Sequence, residues 1–376
     1  MKITIVLGAF FPVPPMLGGA VEKAWFALAH QFAARGHEVT IISRAMPELA
    51  RDETADGIHH LRVRGFDAPR SLLRLKLLDL IYSMRATRVL PRADVLVTNT
   101  FWLPLLVRGS SRGKIYVHVG RYPKGQMRFY RRAARLQAPS RDIAHAIARE
   151  APSLAHKTIA IPYPRPENVE VAGCARRENI VLYVGRVHPE KGVHLLVEAF
   201  SRLAGSELAG WTLVIVGPTE TEHGGGGESY AARLRELAVN ARVEFRGAIF
   251  DEAQLAREYQ RARVFVYPSL ATRGETFGLA PLEAMSHGCT VVVSDLACFR
   301  DFITNEETGV VFGRNSADPA AALASTLHCL ISEPERLARI AQTGRAKSDE
   351  FSLASVADKF LADFTAVISD AEPANR

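Results

Sequence analysis

The segment Ile3-Thr-Ile-Val-Leu7, closed by Gly8, decides the fold together with the stretch from Gly18 to Ile42. A proline-rich loop leads to Gly18-Gly19, and from Ala20 the apolar residues Val21, Trp25, Leu28 and Phe32 recur at helical spacing until Arg35-Gly36. Val39-Thr-Ile-Ile42 is a second short apolar run. Strand, helix and strand in that order make a βαβ unit, which implies a parallel sheet buried on both faces.

The same alternation runs outward. Leu72–Leu90 reads as a long helix rich in leucine and arginine, Asp94–Thr98 and Lys114–His118 as strands, Ser140 as the cap of a helix through Ala148, and Thr158–Ile161 as a last short strand. Pro162-Tyr-Pro-Arg-Pro166 suits an interdomain linker. The alternation restarts at Asn179–Gly185 and continues through Thr212–Val216, Val243–Phe245, Val264–Tyr267 and Thr290–Val293. Ser352–Val367 reads as a final helix. Two doubly wound α/β domains are therefore expected, an N-terminal one over 1–168 and a C-terminal one over 169–350, with 351–376 returning to the first. His223-Gly-Gly-Gly-Gly227 reads as a mobile surface loop, since it lacks the spacing of a nucleotide P-loop.

With 376 residues, 48% of them hydrophobic and 23% charged, the composition is that of a globular chain too long for one core. Cys174, Cys289, Cys298 and Cys329 form no CxxC pair, which argues against a disulfide framework or a zinc site and favours a reducing cytoplasm. Lys2 followed by Ile3–Val13 imitates a short signal peptide, but Pro12, Pro14 and Pro15 interrupt it. The net charge of +7 hides an asymmetry: residues 1–170 hold 26 Lys and Arg against 13 Asp and Glu, residues 171–376 hold 21 against 27. A basic first half suggests an anionic partner. Nucleic acid is a poor candidate, because no helix-turn-helix, zinc spacing or aromatic RNA-binding strand accompanies the charge.

Four segments carry candidate chemistry. Gly185-Arg186 ends a strand, and Lys191-Gly192 opens a helix at the carboxyl edge of the second sheet, where such folds bind ligands. Two cations there suit a diphosphate leaving group, though a solvated turn has the same composition. Glu275-Thr-Phe-Gly-Leu-Ala-Pro-Leu-Glu283 comes after a strand ending in Pro268-Ser269 and opens another helix near Gly278-Leu279. Phosphates bind at such helix starts, and Glu283, about one and a half turns in, suits adjacent sugar hydroxyls. Gly18 and Gly19 allow close backbone approach to a phosphate or sugar, or form only a tight turn. His118 ends a strand, where a sugar hydroxyl or a proton is within its chemistry, or where it simply terminates the strand.

Together these residues resemble the retaining GT-B glycosyltransferases of family 4, and the likeness covers nearly the whole chain. Gly18-Gly19, the Gly185-to-Gly192 run and the Glu275-to-Glu283 segment carry it, supported by Phe245-Arg-Gly247 and Ala262–Ser269. The resemblance implies a GT-B architecture, two Rossmann-like domains facing a central cleft. It implies transfer of a hexosyl group from a UDP- or GDP-sugar to an acceptor hydroxyl with retention, without a metal ion. It further implies that Arg186 and Lys191 hold the diphosphate and that Glu283 accepts from the ribose. Glu275, with Thr276, Phe277, Gly278 and Leu279, would hold the donor sugar and phosphate. His118 would stand beside the sugar, Gly18 and Gly19 would close over it, and Gly247 would lie near the base. Ser294–Asp301 departs from the family pattern: its glycines are missing, and Asp301 stands where Glu is usual.

Competing readings are a GT-B epimerase, a phosphorylase and a noncatalytic sugar-nucleotide-binding protein. For the acceptor, Arg70, Arg74, Lys76, Arg85, Arg88 and Arg92 lie on or beside the leucine-rich helix, and Arg121, Lys124, Arg128, Arg131, Arg132 and Arg135 come after His118. That pattern suits a carbohydrate or lipid-linked acceptor at an anionic inner leaflet, with the protein cytoplasmic or peripheral to the membrane. It equally describes solvated helix faces.

Overall fold

The computed structural model describes residues 1–69, 71–166, 177–203, 205 and 210–369; Arg70, Cys174 and the expected 168/169 boundary lie outside them. The chain divides into two compact units: Met1–Pro164 with the stretch from Leu353 onward, and Arg165–Ser352.

The first unit runs β1 (Lys2–Val6), α1 (Ala20–Ala34), β2 (Glu38–Arg44), β3 (Asp52–Ala55), β4 (Ile58–Val63), α2 (Leu72–Val89), β5 (Val95–Thr98), α3 (Leu103–Leu106), β6 (Lys114–His118), β7 (Arg135–Ala138), α4 (Arg141–Glu150) and β8 (Thr158–Ala160). Its sheet has the order β3-β4-β2-β1-β5-β6-β7-β8 and is parallel except for β3 against β4. Alternate residues of one strand feed opposite cores. Ile3 and Ile5 join Val95, Val97 and Tyr116 on the face covered by Trp25 and Phe32 of α1. Val6 joins Leu96, Ile115 and Val117 on the other, under Tyr82 and Ala86 of α2. That two-sided burial is why β1 reads as an unbroken apolar run. The strand order reverses between β1 and β5, so the carboxyl ends of these strands, near Gly8 and Asn99, flank the crevice of this sheet.

The second unit runs β9 (Glu178–Val184), α5 (Val193–Arg202), β10 (Thr212–Val216), α6 (Glu228–Leu237), β11 (Val243–Gly247), α7 (Glu252–Arg261), β12 (Ala262–Tyr267), α8 (Leu279–Ser286), β13 (Thr290–Ser294), β14 (Val310–Phe312), α9 (Pro319–Ile331) and α10 (Pro334–Ser348). Its six strands, ordered β11-β10-β9-β12-β13-β14, are all parallel, and the order reverses between β9 and β12. The last helix, α11 (Leu353–Ser369), packs on the first unit through Val356, Phe360 and Phe364.

Two features differ from the sequence reading. The hairpin β3–β4 is absent from the sequence reading, because β3 is Asp-Glu-Thr-Ala at an exposed edge and shows no apolar alternation; its one signal is the two-residue turn Asp56-Gly57, with φ 50° and 77°. The glycines at 223–227 read as a mobile loop, yet their backbone is tied down: Gly225 N–H donates to Glu220 (2.8 Å), Gly226 to Val187 (2.8 Å) and Gly227 to Thr219 (2.8 Å). Small size there serves close packing against the end of β9. Among the described residues no helix is long and apolar enough to cross a membrane.

Candidate active site

In the second unit, β9 ends at Val184 and the chain turns through Arg186 to Lys191 before α5 begins. Gly192 takes φ 67°, and a Cβ on it would lie 2.1 Å from the Pro268 carbonyl, so only glycine lets this turn lie against the end of β12. The turn delivers Lys191 to Glu275: Lys191 Nζ lies 2.6 Å from Glu275 Oε2, with the two side chains 8% and 11% exposed. Ser269 Oγ donates to the same carboxylate oxygen at 3.2 Å, and the ammonium lies 5.5 Å from the Tyr267 ring centre. Tyr267 stacks on Tyr183, whose hydroxyl donates to the Arg186 carbonyl at 2.8 Å. Each charge is the other's partner in a site with little solvent, and the contact fixes both side chains.

Arg186 is half-exposed. It pairs with Glu190 at 2.6 Å and donates to the Gly224 carbonyl at 2.9 Å. The glycine-rich loop therefore orients this cation, a purpose that its sequence does not disclose. At the end of β11, Gly247 (φ 68°) accepts from Gly217 N–H at 2.8 Å.

The loop ahead of α8 is anchored from beneath. Phe277 is buried against Phe302 and Phe351, while Thr276 and Leu279 are partly exposed. Gly278, at φ 100°, opens α8 with no side-chain cap, and a Cβ there would lie 2.6 Å from the Phe299 ring. An uncapped helix start leaves its first N–H groups available to an anion. Phe299 belongs to the Ser294–Asp301 stretch that departs from the family pattern, so that stretch supports the loop by packing. Glu283, in the second turn of α8, accepts from Tyr259 Oη at 3.1 Å.

In the first unit, Gly18 and Gly19 take φ 83° and 94° ahead of α1. Glu22 in the first turn of that helix is 5% exposed, and burial pushes its carboxyl above the usual range. His118 is 3% exposed, with both ring nitrogens engaged: Nδ1 lies 2.5 Å from Gln137 Oε1, and Nε2 lies 2.8 Å from Tyr163 Oη. Gln137 Nε2 donates to the carbonyls of Ala138 and Ile161, so its oxygen must face the ring. His118 is thus the Nδ1–H tautomer, accepting from Tyr163 at Nε2. Burial lowers its pKa to about 4, leaving it neutral near pH 7.

The structure thus joins Lys191 to Glu275, steers Arg186 to the same strand ends and links Glu283 to Tyr259. Sequence reasoning does not anticipate Glu190, Ser269, Tyr259, Gln137 or Tyr163 as partners. Only Ser269 has a legible signal, as the last residue of the Pro268-Ser269 strand end.

The C-terminal part of the chain, residues 164–347, matches the model of glycosyl transferases group 1, and residues 19–164 match that of the glycosyl transferase 4-like domain. A lipopolysaccharide core biosynthesis mannosyltransferase, LpsB of Rhizobium meliloti (strain 1021), is 27% identical over 222 residues, covering 58% of each chain. A D-inositol 3-phosphate glycosyltransferase of Rhodococcus opacus (strain B4) is 32% identical over 199 residues, covering 51% of this chain and 42% of that one. The chain thus spans about half the length of the curated relatives it matches. In fold, it is similar to the sucrose-phosphate synthase of Thermosynechococcus elongatus (TM-score 0.79, 20% identity, 99% of this chain and 100% of that one). It is also similar to Anabaena HepE in complex with UDP and glucose (TM-score 0.71, 18% identity, 97% and 100%). Two parallel-sheet units of the GT-B fold, matched along residues 19–347 by these two family models, place the chain in the glycosyl transferases group 1, with a 4-like N-terminal domain.

Proposed function

We propose that the protein transfers a hexosyl group from a nucleoside-diphosphate sugar to an acceptor hydroxyl, with retention, in the synthesis of a cell-envelope glycan or glycolipid. The buried Lys191–Glu275 pair beside the uncapped start of α8 is the observation that carries this reading. The relatives support it: LpsB is named for lipopolysaccharide core synthesis, and HepE holds UDP and glucose.

In this reading the donor diphosphate lies at the start of α8, against Lys191 and Arg186. The acceptor oxygen bonds to the anomeric carbon on the face that the leaving group departs from. The carbon–phosphate-oxygen bond breaks, and the acceptor's proton passes to the departing phosphate oxygen. Negative charge grows on the diphosphate as this happens, and Lys191 and Arg186 bind it more tightly in the transition state than in the ground state. Glu275 aims Lys191 and accepts from a donor-sugar hydroxyl; Glu283 does the same for the ribose. The role that the family implies for His118 requires a sugar hydroxyl to replace Tyr163 as the donor to Nε2.

The partner of the basic first unit is, in the same reading, a lipid-linked acceptor at an anionic membrane surface. Leu72, Leu73 and Leu77 on α2 are 75%, 81% and 55% exposed, with Arg74 and Arg88 exposed beside them.

A thermal-shift panel of UDP-, GDP- and ADP-sugars tests the reading, together with an assay of free nucleotide released with and without acceptor. A shift with one nucleotide class and acceptor-dependent release are expected; binding without release would make the protein a sensor. Lys191→Ala should lower turnover at least about 100-fold, by analogy with losing one transition-state charge contact. Unchanged turnover would remove Lys191 from the mechanism.

A further inference from the structure

The first unit contains a cavity of ≈ 330 Å³ that none of the donor-site residues touches. Arg108, Lys114 and Arg132 line it, over a floor of Val107, Ile115 and Ala134. No acidic side chain lines it, and among the described residues none of these three cationic side chains makes an ion pair or hydrogen bond. Asp94, whose carbonyl accepts from Lys114 N–H, commits its carboxylate to Lys2 N–H at 2.7 Å. A second cavity, of ≈ 250 Å³ in the other unit, shows what ordinary surface charge looks like. There Arg261 pairs with Glu178 at 2.6 Å, and Glu244 with Arg246 at 2.6 Å, so the lining charges cancel.

Three cations around one concavity with no acidic partner repel one another, and an anion bound among them relieves that repulsion. Lys114 begins β6 and His118 ends it, so the cavity lies at the amino end of the sheet, ~13 Å along the strand from the carboxyl edge. It is therefore distinct from the crevice in which this sheet would hold an acceptor. Its volume is at the small end for organic ligands, about 300 Å³ and upward. That exceeds what a bare phosphate fills, and the apolar floor suits a short carbon skeleton. We infer that this cavity is a phosphomonoester site: Arg108, Lys114 and Arg132 hold the doubly charged phosphate, and Val107, Ile115 and Ala134 meet the carbon to which it is esterified. The phosphate belongs either to a small soluble metabolite or to a lipid headgroup.

Glycerol 3-phosphate, which carries the headgroup of phosphatidic acid without its chains, is the probe. Calorimetric titration compares the unmodified protein with two variants, R108Q/R132Q and R186Q/K191Q. Losing two charged donors should weaken binding at least about tenfold in R108Q/R132Q, while R186Q/K191Q binds as the unmodified protein does. Because neither arginine side chain makes an ion pair or hydrogen bond, R108Q/R132Q should keep its unfolding midpoint. Equal binding by R108Q/R132Q and the unmodified protein overturns the inference, as does loss of binding in R186Q/K191Q alone, which would assign the phosphate to the donor site. Cosedimentation with phosphatidylcholine vesicles, with and without phosphatidic acid, identifies the source. A lipid source predicts that phosphatidic acid increases the sedimentation of R108Q/R132Q less than that of the unmodified protein. A soluble source predicts that R108Q/R132Q sediments like the unmodified protein while still failing to bind glycerol 3-phosphate.

Discussion

At the scale of single residues, the proposed chemistry rests on buried charges whose partners are far away in sequence. Lys191 and Glu275 are separated by 84 positions, yet they share one 2.6 Å contact. Their identities are legible because each sits at a strand-to-helix junction, but their pairing is not, since it depends on β9 and β12 being neighbours. Removing one partner strands the other in a nearly dry site, at a cost of about 3 kcal/mol. Lys191→Met should therefore destabilise the second unit by about that much, and K191M/E275Q should recover much of it. Donor binding should stay lost in both, as thermal unfolding and donor titration together would show. Recovery of donor affinity in the double variant would mean that Lys191 serves only the fold.

Two other buried groups set opposing responses to acid. His118, lowered from 6.5 to about 4, is held neutral in the fold, so its contribution is complete above pH 6.5 and is lost as pH falls towards 4. Asp79, raised by burial from 3.8 to about 6, accepts from Phe101 N–H (3.1 Å) and Trp102 N–H (3.2 Å). Its folded form takes up a proton more readily, so its contribution is complete below pH 3.8 and is lost as pH rises through 6. Each shift corresponds to about 3 kcal/mol at most, and between pH 6 and 4 the two largely cancel. In Asp79→Asn only the histidine still titrates, while the amide oxygen can accept the same two N–H groups. The unfolding midpoint of this variant should fall more steeply than that of the unmodified protein between pH 6.5 and 4.5. Parallel curves would contradict the assignment.

At the scale of elements, legibility tracks burial. Strands covered on both faces, such as β1, β9 and β13, are unbroken apolar runs and read directly. The four-residue strands β3 and β7 do not, because Asp-Glu-Thr-Ala and Arg-Leu-Gln-Ala have too few residues to show a period. The helix α2 is legible as a helix, but its orientation is not. Asp79, Tyr82, Ser83 and Ala86 face the sheet, whereas Leu72, Leu73 and Leu77 face out. Two of its cations are already engaged: Lys76 over Phe101 and Arg85 over Phe66. The exposed leucines with Arg74 and Arg88 are what remains for the proposed membrane contact. Replacing Leu72, Leu73 and Leu77 with serine should cut cosedimentation with anionic vesicles at low salt at least about tenfold, since each buried leucine contributes about 1.5–3 kcal/mol. Undiminished sedimentation would show that these leucines do not insert.

At the scale of the whole molecule, alternation alone implies the two-sheet plan, and the charge asymmetry between the halves points to an anionic partner of the first. What alternation cannot supply is the energetic dependence of the first unit on a helix made last. Tyr116 Oη donates to Asp363 of α11 at 2.8 Å, and Arg135 pairs with the same carboxylate at 2.7 Å, nearly out of solvent. Around this pin, Leu353, Val356, Phe360, Phe364 and Val367 are all at most 5% exposed, and the two phenylalanines meet Trp25, Phe32 and Tyr116 edge-on or tilted. At about 2 kcal/mol for each buried side chain, these five are worth on the order of 10 kcal/mol, which is the whole stability of a typical domain. A chain ending at Ser352 should therefore leave residues 1–164 open to proteolysis and to rapid amide exchange, while 177–348 keep their protection. The subtler Asp363→Ala leaves the apolar contacts in place but uncouples Arg135 and Tyr116. It should cost about 3 kcal/mol and speed exchange in α11 and β6 before the second unit responds. If the truncated protein protects its first unit as the full chain does, α11 is an addition to a sheet that folds without it.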